Sequence, residues 1–429
     1  MTADTPYQWL SRVAASDPER SCLVDEANVL AYGDVLARVD SRAHEIRPGI
    51  ETWEIVPVEV VIDVNSVIEI LATQAAGGVP FPYTGRAPSL PVTVADDVAV
   101  CVETSGSSGL PKIVPLTFTN VAASLRSSRK RLGNGPDDRW LVFLPLSHVG
   151  GLSIIWRTLE AGGTAIVVPF DPSGVVIERL EPTIASMVPT MVHRLVDNNP
   201  AALASIGSVL VGGAALDLSL WERCVRSGVQ LVPTYGLTEA GSQVATAASG
   251  NLDMSSGWVG TPLDDMEVLI VGLDHEPVGP GRTGLISVEG PAVFDGYLGE
   301  EFRGRRFITS DLGRLDVEGN LFIEGRIDDV IVSGGENVSL GRVADIINGL
   351  DGVDDVCVVG FADAEWGTVG GAMVVSDRGL VSVIAMAKGE LKAHERPKRW
   401  LQRGLIPKLA NGKHDLTTVR AAFEEEPWT

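Results

Sequence analysis

A chain of 429 residues is too long for one simple core, so we expect two or three domains. Its 34 basic and 56 acidic side chains give a formal net charge of −22, which argues against nucleic acid and anionic lipid as bulk partners. We find no apolar run near the roughly 18 residues of a membrane span, and we expect no secretory signal. The four scattered cysteines fit neither a metal pattern nor a disulfide framework and favour core packing in a reducing, cytoplasmic setting.

The chain begins with an amphipathic helix at residues 4–16, and residues 55–64 predict a buried strand. A stretch rich in proline and glycine at residues 77–94 predicts a crossing loop. Apolar strands then alternate with segments of helical spacing, which are residues 119–132, 151–161, 173–181, 190–197 and 216–227. This alternation predicts wound α/β layers with a largely parallel sheet.

Beyond residue 256 the pattern changes to short strands and glycine turns, and from about residue 327 it becomes β–α–β–β–α. We therefore predict an α/β protein with a large N-terminal domain at residues 1–326. That domain would hold α/β layers to about residue 256 and a β-rich subdomain from about 257 to 326. A small, mobile α+β C-terminal domain would follow at residues 327–429.

The first segment that carries chemistry runs from Thr104 to Lys112, directly after the apolar strand VAVCVE. Its small hydroxylated residues and glycines allow backbone amides to approach phosphate oxygens, and its lysine adds a positive charge. The spacing differs from that of the common NTPase phosphate loop. Taken alone, the segment could equally be a surface loop.

Further segments lie at the ends of later strands, where ligands gather in wound sheets. Tyr235 could stack on a flat ring, Gly236 permits close approach, and Thr238 and Glu239 offer oxygen ligands for Mg²⁺. Gly213 and Ala214 end another strand, and Asp311 with Arg326 could hold sugar hydroxyls. Each segment has a simpler alternative: a buried tyrosine in a turn, solvated acids, or, for Lys413, a surface lysine.

In their order and spacing, from about residue 98 to 420, these segments resemble the adenylate-forming superfamily of acyl-CoA synthetases, luciferases and peptide-synthetase adenylation domains. The resemblance implies a ligase that joins a carboxylic acid to AMP, releases pyrophosphate and passes the acyl group to CoA. ATP and Mg²⁺ would be its cofactors, and CoA would be its co-substrate. A carboxylate attacking phosphorus brings two anions together, so cations must offset the developing charge.

The same resemblance implies a role for individual residues. The phosphates would lie on Thr104, Ser105, Gly106, Ser107, Ser108, Gly109 and Lys112. Gly213, Ala214 and Tyr235 would form the adenine slot, and Gly236 would allow close approach of the cofactor. Asp311 and Arg326 would bind the ribose, and Thr238 and Glu239 would bind phosphate and Mg²⁺. Asp328 would be the hinge, Gly334 and Gly335 would line the CoA path, and Lys413, Glu239 and His148 would be catalytic.

For the acid, residues 144–157, 186–190 and 241–244 are similar to the o-succinylbenzoate–CoA ligases of menaquinone biosynthesis. That similarity implies a substrate pocket made by His148, Ser153, Arg157, Ser242 and Gln243. The alternatives are another aryl or medium-chain acid–CoA ligase, an adenylation enzyme that loads a carrier protein, and a non-enzymatic nucleotide-binding relic. The N-terminal portion is shorter than is usual for the family, which leaves open whether the chain forms a homo-oligomer.

Overall fold

A computed structural model describes residues 4–85, 94–104, 112–248, 250, 253, 255–300, 304, 306–334, 336–363, 365–408 and 414–425. The chain divides into two compact units. The first comprises Met1–Leu269, Ser287–Ile308 and Asp316–Leu321, and the second comprises Ile270–Ile286, Thr309–Leu315 and Phe322–Thr429. The β-rich segment therefore contributes to both units, and the domain boundary expected at residue 326 stays a prediction.

The α-helices alternate with strands over most of the chain. In chain order, α1 to α12 are Pro6–Ser16, Tyr32–Ile46, Val64–Ala76, Phe118–Leu132, Val149–Ala161, Val175–Leu180, Pro189–Asn198, Pro200–Ala204, Leu218–Arg226, Leu340–Asn348, Leu380–Glu390 and Leu416–Glu425. The first helix begins with a capping box, in which the Thr5 and Gln8 side chains each bond the other's backbone. Within the described ranges, no helix has the length and apolar character needed to cross a membrane.

The strands form several separate sheets. In chain order, β1 to β22 are Ser21–Val24, Val29–Ala31, Ile55–Glu59, Val79–Tyr83, Val98–Thr104, Lys112–Thr117, Arg139–Val142, Thr164–Val167, Ile184–Met187, Ser208–Val211, Leu231–Leu237, Ser242–Thr246, Thr261–Pro262, Glu267–Val271, Gly284–Glu289, Arg306–Leu315, Leu321–Arg326, Val330–Ser333, Glu336–Ser339, Val353–Asp363, Gly367–Ser376 and Arg399–Gln402. The predicted class of α/β layers, a β-rich segment and a small C-terminal α+β region is confirmed.

The largest sheet has the order β13-β12-β11-β10-β9-β7-β8-β1-β2. Its central strands, from β11 through β1, pair in parallel, and β8 and β9 are buried along their whole length. Continuous burial is expected for parallel strands covered by helices on both faces. The four cysteines are buried and free, which confirms that they pack in the core.

One prediction is wrong: residues 77–94 do not form only a loop, because β4 occupies Val79–Tyr83 and pairs in parallel with β3. Two prolines in this strand had argued against it. The Val79 N–H donates to Glu54 O, so the alternating Pro80 and Pro82 place their missing N–H groups on the opposite edge. This sheet consists of β3 and β4, so the opposite edge of β4 pairs with no third strand in it and needs no N–H donors.

The second unit contains a sheet of order β19-β18-β21-β20, in which β22 also pairs with β21. Helices α10 and α11 pack on one core, which includes Val343, Ile347 and Val383, all almost fully buried. A second core, built around Cys357, Met373 and Ile406, packs against α12 through Val419 and Phe423. The sheet is therefore covered by two hydrophobic clusters, as expected for an independent α+β layer structure.

Candidate active site

Four neighbouring parallel strands, β7, β9, β10 and β11, end at one edge of the large sheet. His148 follows β7 and immediately precedes α5, Gly213 and Ala214 follow β10, and Tyr235 lies near the end of β11. The carboxyl ends of parallel strands are where wound sheets bind ligands. The fold therefore gathers the residues predicted for adenine and for the acid at the same edge.

Gly236 is required by chain packing at this edge. A Cβ atom there would lie 1.7 Å from the Ser242 carbonyl oxygen, because β11 and β12 approach closely where Gly236 pairs with Gln243. Gly212, one residue before Gly213, is similarly crowded by the Thr234 carbonyl oxygen at 2.7 Å. These glycines bring β10, β11 and β12 together, and a role for Gly236 against the nucleotide stays a prediction.

Strands β5 and β6 flank the predicted phosphate loop. Thr104 and Lys112 are cross-strand partners, and the Thr104 hydroxyl donates to Lys112 O at 3.3 Å. The chain thus enters and leaves the loop at adjacent positions. Ser105, Gly106, Ser107, Ser108 and Gly109 lie outside the described residues.

Lys112 is linked to the predicted metal ligand through Tyr297. The Lys112 ammonium lies 4.3 Å from the centre of the Tyr297 ring and 3.0 Å from Glu300 Oε1. The Tyr297 hydroxyl donates to Glu239 Oε1 at 2.8 Å. Tyr297 and Glu300 were missed by the sequence analysis, because DGYLGE matches no motif that we used.

Glu239 and Thr238 share a 3-10 turn, Thr238–Ala240, that directly follows β11, and both are partly buried. Across the described ranges, no group of three or more His, Cys, Asp or Glu side chains could hold a metal ion. Mg²⁺ usually takes one or two carboxylates and completes its shell with water and substrate phosphates. Glu239, whose carboxylate accepts from the Tyr297 hydroxyl, and the adjacent Thr238 fit that coordination preference.

Arg157 lies on α5 and is only 3% exposed. Its Nη2 donates to Ser242 Oγ at 3.1 Å, and its guanidinium lies 5.5 Å from the centre of the Trp140 ring. Its Nε is buried without a hydrogen-bond partner. Burial lowers the pKa of Arg157 to about 9, so the side chain keeps its charge at neutral pH. A buried cation with an unused donor is suited to bind an anion.

The neighbours of Arg157 include two of the predicted substrate residues. Ser153 Oγ lies 3.2 Å from Ser242 Oγ and also donates to Gly150 O at 2.9 Å. Ser242 has a φ of 115°, which is uncommon for a residue with a side chain. Ser153 and Arg157 of α5 and Ser242 of β12 therefore form one hydrogen-bonded cluster.

Gln243 has a different environment. Its Oε1 accepts a bond of 2.6 Å from Ser128, and its Nε2 donates to Thr246 Oγ1 at 2.8 Å and Thr234 Oγ1 at 3.3 Å. The side chain is buried, and three partners occupy its amide. Gln243 therefore joins α4, β11 and β12, and its predicted contact with substrate stays a prediction.

In the second unit, Asp311 of β16 and Arg326 of β17 form an ion pair with Nη1 2.9 Å from Oδ1. Arg326 Nη2 also lies 3.3 Å from Asp328 Oδ2. Burial by itself would lower the pKa of Arg326, but the charge of Asp311 and the bond to Asp328 outweigh burial and raise it. The two predicted ribose residues are therefore adjacent, and the predicted hinge residue is beside them.

Gly334 follows β18 and has a φ of 60°. A Cβ atom there would lie 2.7 Å from the Trp366 ring, so glycine is required by both conformation and space. Gly335 and Lys413 lie outside the part of the chain that the structure describes. Their predicted roles, in the CoA path and in catalysis, stay predictions.

Comparisons with known proteins give one consistent family. The model for the AMP-binding enzyme family matches residues 58–298, and the model for the AMP-binding enzyme C-terminal domain matches residues 342–413. The 2-succinylbenzoate–CoA ligase of Enterococcus faecalis is 33% identical over 344 residues, which cover 76% of this chain and 71% of that protein. The ligase of the same name from Lactococcus lactis is 30% identical, with 83% and 79% covered.

Solved structures give the same result. The o-succinylbenzoate CoA synthetase of Bacillus subtilis in complex with its acyl-adenylate intermediate has a TM-score of 0.88 and 26% identity, covering 100% of this chain and 99% of that one. The same enzyme in complex with ATP and magnesium has a TM-score of 0.86 at 26% identity, with 97% and 99% covered.

Proposed function

This chain belongs to the AMP-binding enzyme family, and from that premise we propose that it is an ATP-dependent acid–CoA ligase acting on 2-succinylbenzoate. A carboxylate oxygen of the acid attacks the α-phosphorus of ATP, and the bond to pyrophosphate breaks. The CoA thiol then attacks the acyl carbon, loses its proton and displaces AMP. The products are a thioester, AMP and pyrophosphate.

The observation that carries this proposal is the buried, charged Arg157. 2-Succinylbenzoate has an aliphatic carboxylate, which is activated, and an aromatic carboxylate, which must be held. The chain carries a formal charge of −22, so it needs a local cation to hold a dianion. Arg157 supplies that cation, with a donor that lacks a partner in the structure. Ser153 and Ser242 add hydroxyl groups beside it.

The remaining assignments follow the family resemblance. Lys112 and the loop before it receive the phosphates, Gly213, Ala214 and Tyr235 receive the adenine, and Asp311 and Arg326 receive the ribose. Glu239 and Thr238 would hold Mg²⁺, which offsets the phosphate charge when bound. The Tyr297 hydroxyl orients the Glu239 carboxylate. Lys413 would lie between the attacking carboxylate and the α-phosphate and stabilise the charge that develops there.

The test is pyrophosphate exchange into ATP by the full chain, with 2-succinylbenzoate, benzoate and a medium-chain fatty acid as separate substrates. We expect exchange with 2-succinylbenzoate to exceed the other two. Thioester formation is then measured with CoA and with a carrier protein as acceptors. Preference for a monocarboxylate would overturn the substrate assignment, and transfer to the carrier protein in place of CoA would overturn the acceptor.

A Lys413→Ala variant supplies the mechanistic control. Removing a cation from the transition state should lower exchange by roughly 10²–10³-fold. Thioester formation from supplied acyl-adenylate should largely survive, because that step does not form the bond to phosphorus. An equal loss in both half-reactions would contradict the role of Lys413.

A further inference from the structure

Two residues that flank segment 409–413 are held next to each other. Lys408 and His414 face each other in an antiparallel bridge, and the Asp415 N–H donates to Pro407 O at 2.9 Å. The described chain therefore leaves at residue 408 and returns at residue 414 at adjacent positions. Lys413 belongs to the intervening segment and is joined to His414 by one peptide bond.

A single carboxylate contacts both flanking residues. Asp355 lies near the start of β20, with Oδ2 2.7 Å from Lys408 Nζ and Oδ1 2.9 Å from His414 Nε2. The three side chains are only 23–26% exposed. Charge-assisted bonds of this length are stronger than neutral ones, and partial burial shields them from solvent.

The protonation state of Asp355 agrees with this geometry. Burial alone would raise the pKa of Asp355, but bonds from His414 and Lys408 outweigh it and hold the pKa below its usual value. The carboxylate is therefore ionised at neutral pH and can attract both flanking residues at once. Its neighbour Asp354 is exposed and forms no ion pair within the described residues, so the arrangement is specific to one of two adjacent acids.

We propose that Asp355 is a positioning residue for the adenylation step, because it fixes both ends of the segment that carries Lys413. This inference rests on the proposed function, in which Lys413 contacts the reacting groups. A lysine must reach a narrow position between a carboxylate and a phosphate, and small misplacements of such groups are costly. Anchoring both ends of a short segment reduces the conformations that the segment can adopt.

The experiment compares Asp355→Asn with Asp354→Asn, which removes the same charge from the adjacent residue. We expect Asp355→Asn to lower kcat for pyrophosphate exchange by on the order of 10–100-fold, with KM for ATP changed by less than about threefold. Thioester formation from supplied acyl-adenylate should stay near the wild-type rate. Asp354→Asn should match the wild type in both steps.

Limited trypsin digestion gives a readout that is independent of activity. Lys408 and Lys413 each precede a bond that trypsin can cut. Releasing the segment should speed cleavage after these two lysines in Asp355→Asn, with cleavage in Asp354→Asn unchanged. If Asp355→Asn does not fold, Lys408→Met and His414→Gln, which each release one end, should show smaller losses in exchange alone.

Several results would overturn the proposal. They are an equal loss in both half-reactions, the same loss in Asp354→Asn, or normal exchange in Asp355→Asn. A wild-type chain that shows no acid-dependent exchange would overturn the proposed function and this role together. Normal exchange by the wild type with an unaffected Asp355→Asn variant would overturn the positioning role alone.

Discussion

At the scale of single residues, the buried Arg157 guanidinium opposes folding and is also suited to bind an anionic substrate. A guanidinium that is 3% exposed has lost most of its hydration, and the structure supplies a serine hydroxyl and an indole ring in place of a carboxylate. Burying a charge without an opposite charge opposes folding. At neutral pH the side chain is charged in both the folded and the unfolded chain, so the full cost applies. An anionic substrate would relieve it.

We therefore expect Arg157→Met to weaken substrate binding while it increases the stability of the fold. Affinity for 2-succinylbenzoate should fall by roughly 2–5 kcal/mol, because a charge partner is lost, and affinity for benzoate should change much less. The midpoint of thermal unfolding should rise, because a nonpolar side chain replaces a buried cation. Binding assays with both acids and thermal scans check this, with the exposed Arg194→Met on α7 as control. A similar loss for all acids would indicate a folding role.

At the scale of elements, helix α5 carries Ser153 and Arg157 of the predicted substrate pocket, and the backbone at its start is tightly packed. A Cβ atom on Gly151 would lie 2.3 Å from Pro145 O and 2.7 Å from Leu144 O. On the adjacent Gly150 it would meet only the end of the Leu144 side chain, at 3.2 Å. Backbone oxygens in a packed turn cannot move as a flexible side chain can. There is therefore no room for a Cβ atom at Gly151, whereas one at Gly150 can be accommodated.

This difference predicts that alanine is tolerated at position 150 and destabilising at position 151. Gly151→Ala should destabilise the chain by about 1–3 kcal/mol through overpacking, and it should raise KM for the acid more than KM for ATP. Gly150→Ala should change stability by less than about 1 kcal/mol, since alanine favours the helix. Urea unfolding and steady-state kinetics measure both effects. Equal destabilisation by the two variants would contradict the tight start of α5.

At the scale of the whole molecule, the division into two units separates the predicted site residues. Tyr235, Glu239 and Arg157 belong to the first unit, whereas Asp311 and Arg326 belong to the second. Asp328 lies in a 3-10 turn, Ile327–Asp329, between β17 and β18. The family resemblance predicts that this turn is the hinge of a mobile C-terminal domain. Hinge residues absorb backbone rotation between functional states.

Asp328→Pro should therefore block one half-reaction. Proline fixes φ near −65°, so the turn should keep one conformation. We expect pyrophosphate exchange to continue and thioester formation to be lost. Asp328→Ala, which removes the carboxylate but leaves φ free, should form the thioester. Assays of the separate half-reactions distinguish these results, and full thioester synthesis by the proline variant would exclude a hinge at this position.

The sequence by itself determined the layered α/β class, the order of the chemical segments and the residues at the ends of β10 and β11. These features depend on hydrophobic periodicity and local turn chemistry, which act over a few residues. Residues 77–94 are the exception, because Pro80 and Pro82 suit a strand only when that strand has a free edge. Whether such an edge exists depends on the rest of the fold.

Only the tertiary structure decided which side chains support these segments. Tyr297 contacts Glu239 across 58 residues, Gln243 contacts Ser128 across 115, and Asp355 contacts His414 across 59. Arg157 was named from the sequence, but its burial and its unused donor follow from the packing of α5 against β12. Contacts of this kind depend on how distant segments meet in space, and no local pattern of residues encodes that.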